Sequence, residues 1–460
     1  MFGLRTRPRA KPSRPGKLPG WKCAALIPIG LLVGLAGLNQ AGADPAGVGQ
    51  ASSSQGAETR RSEIVAPGIE YIQIRRGDFT APEGADRWTI HVLLLDPSRA
   101  QIRPAIAMDE IAGAETTSSI AARHGAAAAV NGGYFRTTGT FRGEPAGLLA
   151  LGGRFLSEPN PNRAVLALTN AGGRTRLAVA QVDFKAEIVV KGLSPRAVDG
   201  INRPRGEDEL ILFTPEFHRT TLTAPDGLEA VVRRGRIREI ADGRGSSPIP
   251  EDGFILSAAG KARMWARQSL RPGLKISVGT DLKATPPFPF APEFLLGGGP
   301  HLRSNGKPIP GEAENFPAGF YTTRHPRTAA GIRSDGTIVL AVVDGRQPKV
   351  GVGMTIPELA DLMGELGCAE AINLDGGGST TMVVGGRLVN SPSDSAGERP
   401  VSDALLVFPR SAYFFQTGKL RPGVQGAPAA SNAWPSFFRS TSIRPRSFSR
   451  TSPNPAAAIS

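Results

Sequence analysis

Asp375 stands directly before Gly376-Gly377-Gly378 and Ser379-Thr380-Thr381. Three successive glycines lose backbone entropy and pack nothing. They make sense where the chain must approach a ligand closely and turn its amides into an anion-binding nest. A carboxylate at the head of such a loop can serve as base or nucleophile beside a bound anion. Asp344 heads a second Asp-Gly pair and, taken alone, reads as an ordinary turn. Asn131-Gly132-Gly133 sets a side-chain amide at the mouth of another turn, and Gly297-Gly298-Gly299 is either a linker turn or part of the same cleft.

Familiar motifs are excluded one by one. No lysine follows the glycines, as a P-loop requires, and Thr381 stands where a nucleophile elbow needs glycine. A calcium loop beginning at Ala371 would lack its first acid and carry Met382 in place of its closing glutamate. Histidines 91, 124, 218, 301 and 325 show no metal-ligand spacing. No metal and no cofactor is therefore expected.

The elements that must hold these residues follow from periodicity. The apolar run 337–343 predicts a buried strand, and Thr355-Ile356-Pro357-Glu358 a capping box. Ile356, Leu359, Met363 and Leu366 give the helix its apolar stripe, Gly367 ends it, and 369–375 reads as a second strand. Strand, helix, strand predicts a βαβ unit with neighbouring parallel strands. Asp344 and Asp375 would then sit at the same ends, ~5 Å apart, a spacing suited to paired carboxylates at a glycosidic centre.

Upstream, 88–96 and 100–108 are expected to pair around Asp96-Pro97-Ser98, and 116–124 to be helical. A strand is expected within 126–135, a hairpin at 146–156, and strands at 164–169, 176–190, 208–214 and 228–240. A helix near 260–269, a hairpin about Gly385-Gly386 and a last strand at 404–408 complete the reading. The expected class is α+β: a mixed β-sheet catalytic domain with a few helices, including one βαβ unit near the C-terminal end.

A net charge of +14 invites a nucleic-acid partner, but residues 1–22 and 409–460 each carry seven Lys or Arg and no acid. The chain between them is neutral, so nucleic-acid binding by the body loses its support. The basic start, the apolar run Cys23–Leu38 and Ala41-Gly42-Ala43 predict a signal peptide over 1–43. A flexible linker over 44–62, a catalytic domain over 63–408 and a basic disordered tail over 409–460 follow. An apolar run interrupted by Pro28 is short against the ~20 residues that span a bilayer. Export to the periplasm or the extracellular space is the expectation, with an uncleaved membrane anchor as the alternative. The tail suits contact with an anionic cell-envelope polymer. Cys368, the one cysteine beyond the signal, is expected to be a small buried hydrophobe.

NGGYF, GEPAGLLALGGRF, HPRTAAGIRSDGTIVLAVVDGR, GMTIPELADLMGELGCAEAINLDGGGSTTM, VNSPSD and GERPVSDALLVF occur in that order. The set resembles the phosphodiester glycosidase family, closely over 126–170 and 295–408 and loosely between. The resemblance implies an α+β catalytic domain and hydrolysis of sugar-1-phosphodiesters. It also implies matching roles for Asn131, Gly147, Arg327, Asp344, Asp375, Gly377, Ser379 and Arg399. In that frame Asp375 is nucleophile or base, assisted by Asp344 or Glu144, while Arg327 and Arg399 grip phosphate oxygens. Asn131, Gly132, Asn373, Gly376, Gly377, Gly378, Ser379 and Thr380 complete the substrate site. Tyr134 and Asp403 depart from the family's commoner Phe and Asn. The implied partner is a phosphorylated glycan or glycoconjugate. The competing class is a non-catalytic binding or assembly protein for anionic envelope polysaccharide, which would need the same arginines and glycine loop.

Overall fold

Ile338–Val343 is buried at every position, because both of its faces are covered. Ile338, Leu340 and Val342 enter the main core, while Val339, Ala341 and Val343 pack beneath the helix Ile356–Glu365. Removing each such larger side chain from water contributes about 1.5–3 kcal/mol. β-branched residues suit this doubly covered strand. The computed structural model describes residues 58–82, 86–310, 314–317 and 319–410, and the backbone of 438–440. The expected signal peptide and most of the expected tail lie outside the described residues.

The strand belongs to an eight-stranded antiparallel sheet. Its order is Thr59–Ala66, Ile69–Gly77, Arg87–Leu95, Ile338–Val343, Arg327–Arg333, Cys368–Asn373, His301–Ser304 and Lys307–Pro308. This order corrects the expected βαβ unit. The helix does cross over between the two predicted strands, but Arg327–Arg333 lies between them and is antiparallel to both. They are therefore two strand spacings apart, ~10 Å, and the Asp344–Asp375 proximity drawn from adjacency does not hold. The cause is local. Ser334-Asp335-Gly336 closes a hairpin in which Asp335 accepts from the Thr337 amide at 2.8 Å, so Arg327–Arg333 already fills the neighbouring place.

A second correction concerns Arg87–Leu95 and Ala100–Ile106, which do not pair. The turn at Asp96 passes the chain into another sheet, where Ala100–Ile106 pairs with Asp403–Pro409. That five-stranded sheet also holds Ala128–Asn131, Met382–Val384 and Arg387–Leu388. Helix Thr117–His124 covers its outer face through Ile120 and Ala121. The first strand opens at Thr59, so the end of the expected linker is sheet.

A third sheet carries Leu149–Leu151, Arg154–Ser157, Ala164–Thr169, Arg176–Val190, Ile276–Thr285 and Phe294–Gly297. Residues 438–440 add a parallel strand to Ile276–Thr285, a point where the tail is not the irregular chain expected. A fourth, five-stranded sheet within 200–258 and the helix Gly260–Ser269 share their own core around Phe254, Leu256, Ala262 and Ala266. The main core joins the first three sheets through Leu340, Val130, Leu405, Leu166 and Leu296. The described residues are thus mainly β with three α-helices. Among them no helix is long and apolar enough to cross a membrane.

Candidate active site

Three sheets deliver strand ends to one place. Arg327 begins its strand, Asp344 and Asp375 follow the ends of theirs, and the antiparallel arrangement brings these ends to one edge. Asn131 ends a strand of the second sheet, and Asp403 begins the strand beside it. Gly297–Gly299 leaves the third sheet. Gly299 accepts from the Tyr134 hydroxyl at 2.8 Å and from the Asn373 amide at 2.9 Å. The third glycine cluster therefore belongs to this cleft.

Asp375 is held by its backbone. Its carbonyl accepts from Asn131 Nδ2 at 2.7 Å, and its amide donates to the Gly132 carbonyl at 3.1 Å. Asn131 Oδ1 is also occupied, by the Thr328 hydroxyl and the Thr381 amide. Asn131 is thus a strut for the loop rather than a free substrate contact. The Asp375 carboxyl accepts from the Gly376 amide at 2.9 Å. Burial pushes its pKa up to about 6; the Ser379 hydroxyl, the Gly376 amide and Arg399 oppose the rise, and Asp403 adds to it.

The glycine loop needs its glycines for space. A Cβ on Gly376 would stand 2.8 Å from the Pro326 carbonyl, and one on Gly378 would collide with Arg399 and Asp394. Gly377 has φ +61° and lies beneath the Arg346 guanidinium. The expected nest of free amides is narrower than the sequence implied. Gly376 N binds the Asp375 carboxylate, and Gly377 N binds Pro326 O at 2.9 Å. Ser379 N and Thr380 N turn back to Gly376 O and Gly377 O. The buried hydroxyls of Thr380 and Thr381 have no hydrogen-bond partner among the described residues, while that of Ser379 faces the Asp375 carboxyl.

Two guanidiniums show a shared pattern. Arg399 binds Asp394 through Nε at 2.8 Å and Nη2 at 3.0 Å. Arg327, only 2% exposed, is fixed by carbonyls alone: Met354 at 2.8 Å, Phe320 at 3.0 Å and Thr323 at 2.9 Å. In each the Nη1 edge has no hydrogen-bond partner among the described residues. Arg327 has no carboxylate partner either, and burial lowers its pKa to about 10. The Phe320 ring lies 4.9 Å from its guanidinium. Tyr134 is within electrostatic reach of both Arg327 and Asp375.

Two expected catalytic carboxyls are elsewhere in chemical terms. Asp344 is 1% exposed, and both of its oxygens are spent. Oδ2 meets His91 Nε2 at 3.2 Å; Oδ1 accepts from Ser391 N at 2.9 Å and Asn390 Nδ2 at 3.2 Å. His91 Nδ1 in turn meets the Tyr71 hydroxyl at 2.8 Å. Asn390 also donates to Thr380 O at 3.0 Å, so Asp344 braces the glycine loop from behind. Glu144 binds Arg136 at 2.7 Å, and its other electrostatic neighbours are Glu158 and Arg203, not Asp375.

Asn373 donates to Tyr134 and Gly299, with its Oδ1 buried and unpartnered. Arg346 and Asp394 were missed as site residues, and Tyr134 and Asp403 were noted only as departures. The available signal was an acid at the mouth of a wholly apolar strand, Asp403-Ala-Leu-Leu-Val. Cys368 is buried beside Gly331, and burial raises its pKa to about 12, as suits an inert thiol. Among the described residues no group of acids, histidines and cysteines could hold a metal.

Residues 226–408 match the family model described as phosphodiester glycosidase. An 84-residue stretch is 44% identical to the SPbeta prophage-derived uncharacterized protein YomE of Bacillus subtilis, covering 18% of this chain and 13% of that one. A 75-residue stretch is 43% identical to the N-acetylglucosamine-1-phosphodiester alpha-N-acetylglucosaminidase of Bos taurus, covering 16% of this chain and 14% of the enzyme. The matches thus span a small part of these relatives' length. A solved structure from Burkholderia pseudomallei superposes with a TM-score of 0.68 at 25% identity, over 78% of this chain and 99% of that one. On these matches, residues 226–408 are similar to the phosphodiester glycosidase family.

Proposed function

We propose that the chain is an exported hydrolase that cuts the bond between a sugar's anomeric carbon and a phosphodiester, releasing the sugar and a phosphomonoester. The observation that carries this reading is Asp375: a carboxyl of raised pKa at the head of a glycine loop flanked by guanidiniums. The substrate class follows from the family match and from the bovine relative's name.

The leaving phosphomonoester is already a stable anion, so it needs charge stabilisation more than a strong acid. Arg327 supplies a buried positive charge with no paired carboxylate among the described residues, and a bound phosphate would provide a counter-anion. Arg399 and Arg346 flank the loop from the solvent side, and the free Nη1 edges are the groups that would meet phosphate oxygens. Asp375 acts at the anomeric carbon or on the water that attacks it, its orientation fixed by Asn131 and Gly132. Asp344 contributes through the loop it braces, not through contact with the substrate.

Turnover of a chromogenic sugar-1-phosphodiester, followed by phosphomonoester release, tests the reading. Stoichiometric binding of the same compound without release would instead make the chain a glycan-binding protein. Export is tested by N-terminal sequencing of the protein recovered outside the cytoplasm. A start after Ala43 supports a cleaved signal, whereas a start before Cys23 makes 23–38 an anchor.

A further inference from the structure

Asp403 is a second carboxyl within the centre that the proposed reaction has not used. It is 1% exposed, and no lysine or arginine among the described residues pairs with it. Oδ1 accepts from the Gly133 amide at 2.9 Å and Oδ2 from the Ser402 hydroxyl at 2.5 Å. Gly132 ties it to Asp375. The Gly132 amide donates to the Asp403 carbonyl at 3.0 Å, and the Gly132 carbonyl accepts from the Asp375 amide at 3.1 Å. Any side chain at 132 would strike Asp403 Oδ1, so the glycine there makes room for the acid.

A buried carboxylate with donors but no counter-ion projects its field through a medium that screens poorly. We infer that Asp403 is a positioning residue for Asp375: it acts not by touching substrate but by holding a buried, uncompensated charge tied through Gly132 to the carboxyl that does. The other groups facing Asp375 are known. Arg399, itself held by Asp394, and the Ser379 hydroxyl favour the ionised form. Tyr134 lies within reach with Arg327 behind it, and Arg346 stands above Gly377. Asp403 is the one named group besides burial that favours the protonated form of Asp375. Burial raises Asp403 as well, while Ser402 and the Gly133 amide hold it down.

The test follows the carboxyl carbons directly, so its structural arm does not depend on turnover. Full chain labelled with ¹³C at the aspartate carboxyls is titrated by NMR, and Asp375→Asn identifies the Asp375 signal by its disappearance. In Asp403→Asn, whose side chain can still accept from the Gly133 amide, the Asp375 midpoint should fall by about one pH unit, a tenfold change in proton affinity. Ser402→Ala weakens the charged form of Asp403 and should move the midpoint the same way by less, and it decides the matter if Asp403→Asn does not fold. Where turnover is found, the corresponding limb of the kcat/KM profile should move with it, a displacement that loss of packing alone would not produce. An unmoved Asp375 signal in a folded variant overturns the inference. Absence of turnover in the wild-type chain would instead count against the proposed hydrolysis and leave the NMR result to judge Asp403.

Discussion

Asp344-Gly345 and Asp375-Gly376 read alike: an acid at the end of a buried strand, then glycine. Their surroundings differ in kind. Asp344 sits in a closed network in which His91, Asn390 and Ser391 consume both carboxylate oxygens. Asp375 keeps some exposure and receives one normal hydrogen bond, from the next amide in the chain. Around it lie groups left unpaired among the described residues: the Thr380 and Thr381 hydroxyls, the side-chain carbonyl of Asn373, and the Arg327 charge. A fold normally satisfies its buried polar groups. Where satisfaction is complete, as at Asp344, the carboxyl holds the structure together. Where polar groups remain open side by side, as at Asp375, a ligand is the natural partner.

The sharpest way to break this contrast is to neutralise each acid. Asp375→Asn should lower turnover by about a thousandfold, the scale of a lost acid–base or nucleophilic group, while circular dichroism and melting remain those of a folded protein. Retained kcat in the folded variant would remove Asp375 from the mechanism. Asp344→Ala should act on the fold instead. It strands three buried donors, and the expected loss is about 3 kcal/mol of unfolding free energy, measured in urea. A variant as stable as wild type but catalytically dead would move Asp344 back into the reaction.

Arg327 tests the open side of the comparison more gently. Lysine keeps the charge but cannot hold three carbonyls with one planar fork and still offer an edge to phosphate. Arg327→Lys should reduce kcat/KM by about tenfold, ~1.4 kcal/mol. Wild-type kinetics for both Arg327→Lys and Arg327→Ala would place phosphate recognition elsewhere.

The legible parts of the chain were those governed by near neighbours. Thr355 and Glu358 form both bonds of the capping box, and Ile356, Leu359, Met363 and Leu366 are buried as the stripe required. The Gly152-Gly153 and Gly385-Gly386 hairpins and the helix Gly260–Ser269 lie where turn chemistry and periodicity put them. Strand order was not legible. Periodicity marked 337–343 as a buried strand but gave no strand at Arg327–Arg333, which wedges between it and Cys368–Asn373. Asp375 could be found because its glycines are unusual in any setting. The partners that give Asp403 and Arg346 their place lie far along the chain and were not legible. The surroundings of Asp344 were not legible, because the His91 contact that satisfies it crosses 253 residues of sequence.

The smallest expected effect turns the contrast into a thermodynamic one. The fold raises the pKa of Asp375 to about 6, against the ordinary aspartate value of about 3.9. Below about pH 4 the carboxyl is protonated in folded and unfolded chains alike, and no stability is lost. As pH climbs toward about 6, the unfolded chain ionises while the folded chain keeps its proton, so the native state loses ground; above that the loss is complete. Asparagine never ionises and escapes the loss. Asp375→Asn should therefore be more stable than wild type by ~1 kcal/mol at about pH 8, a figure reduced for the residue's partial exposure, and by nothing near pH 4. Asp344→Asn should go the other way, because an amide NH₂ must face donors that a carboxylate satisfied. Urea unfolding of both variants and wild type at the two pH values decides it. If Asp375→Asn gains nothing at the higher pH, Asp375 is as well accommodated as Asp344, and its fitness for chemistry cannot come from strain in the folded state.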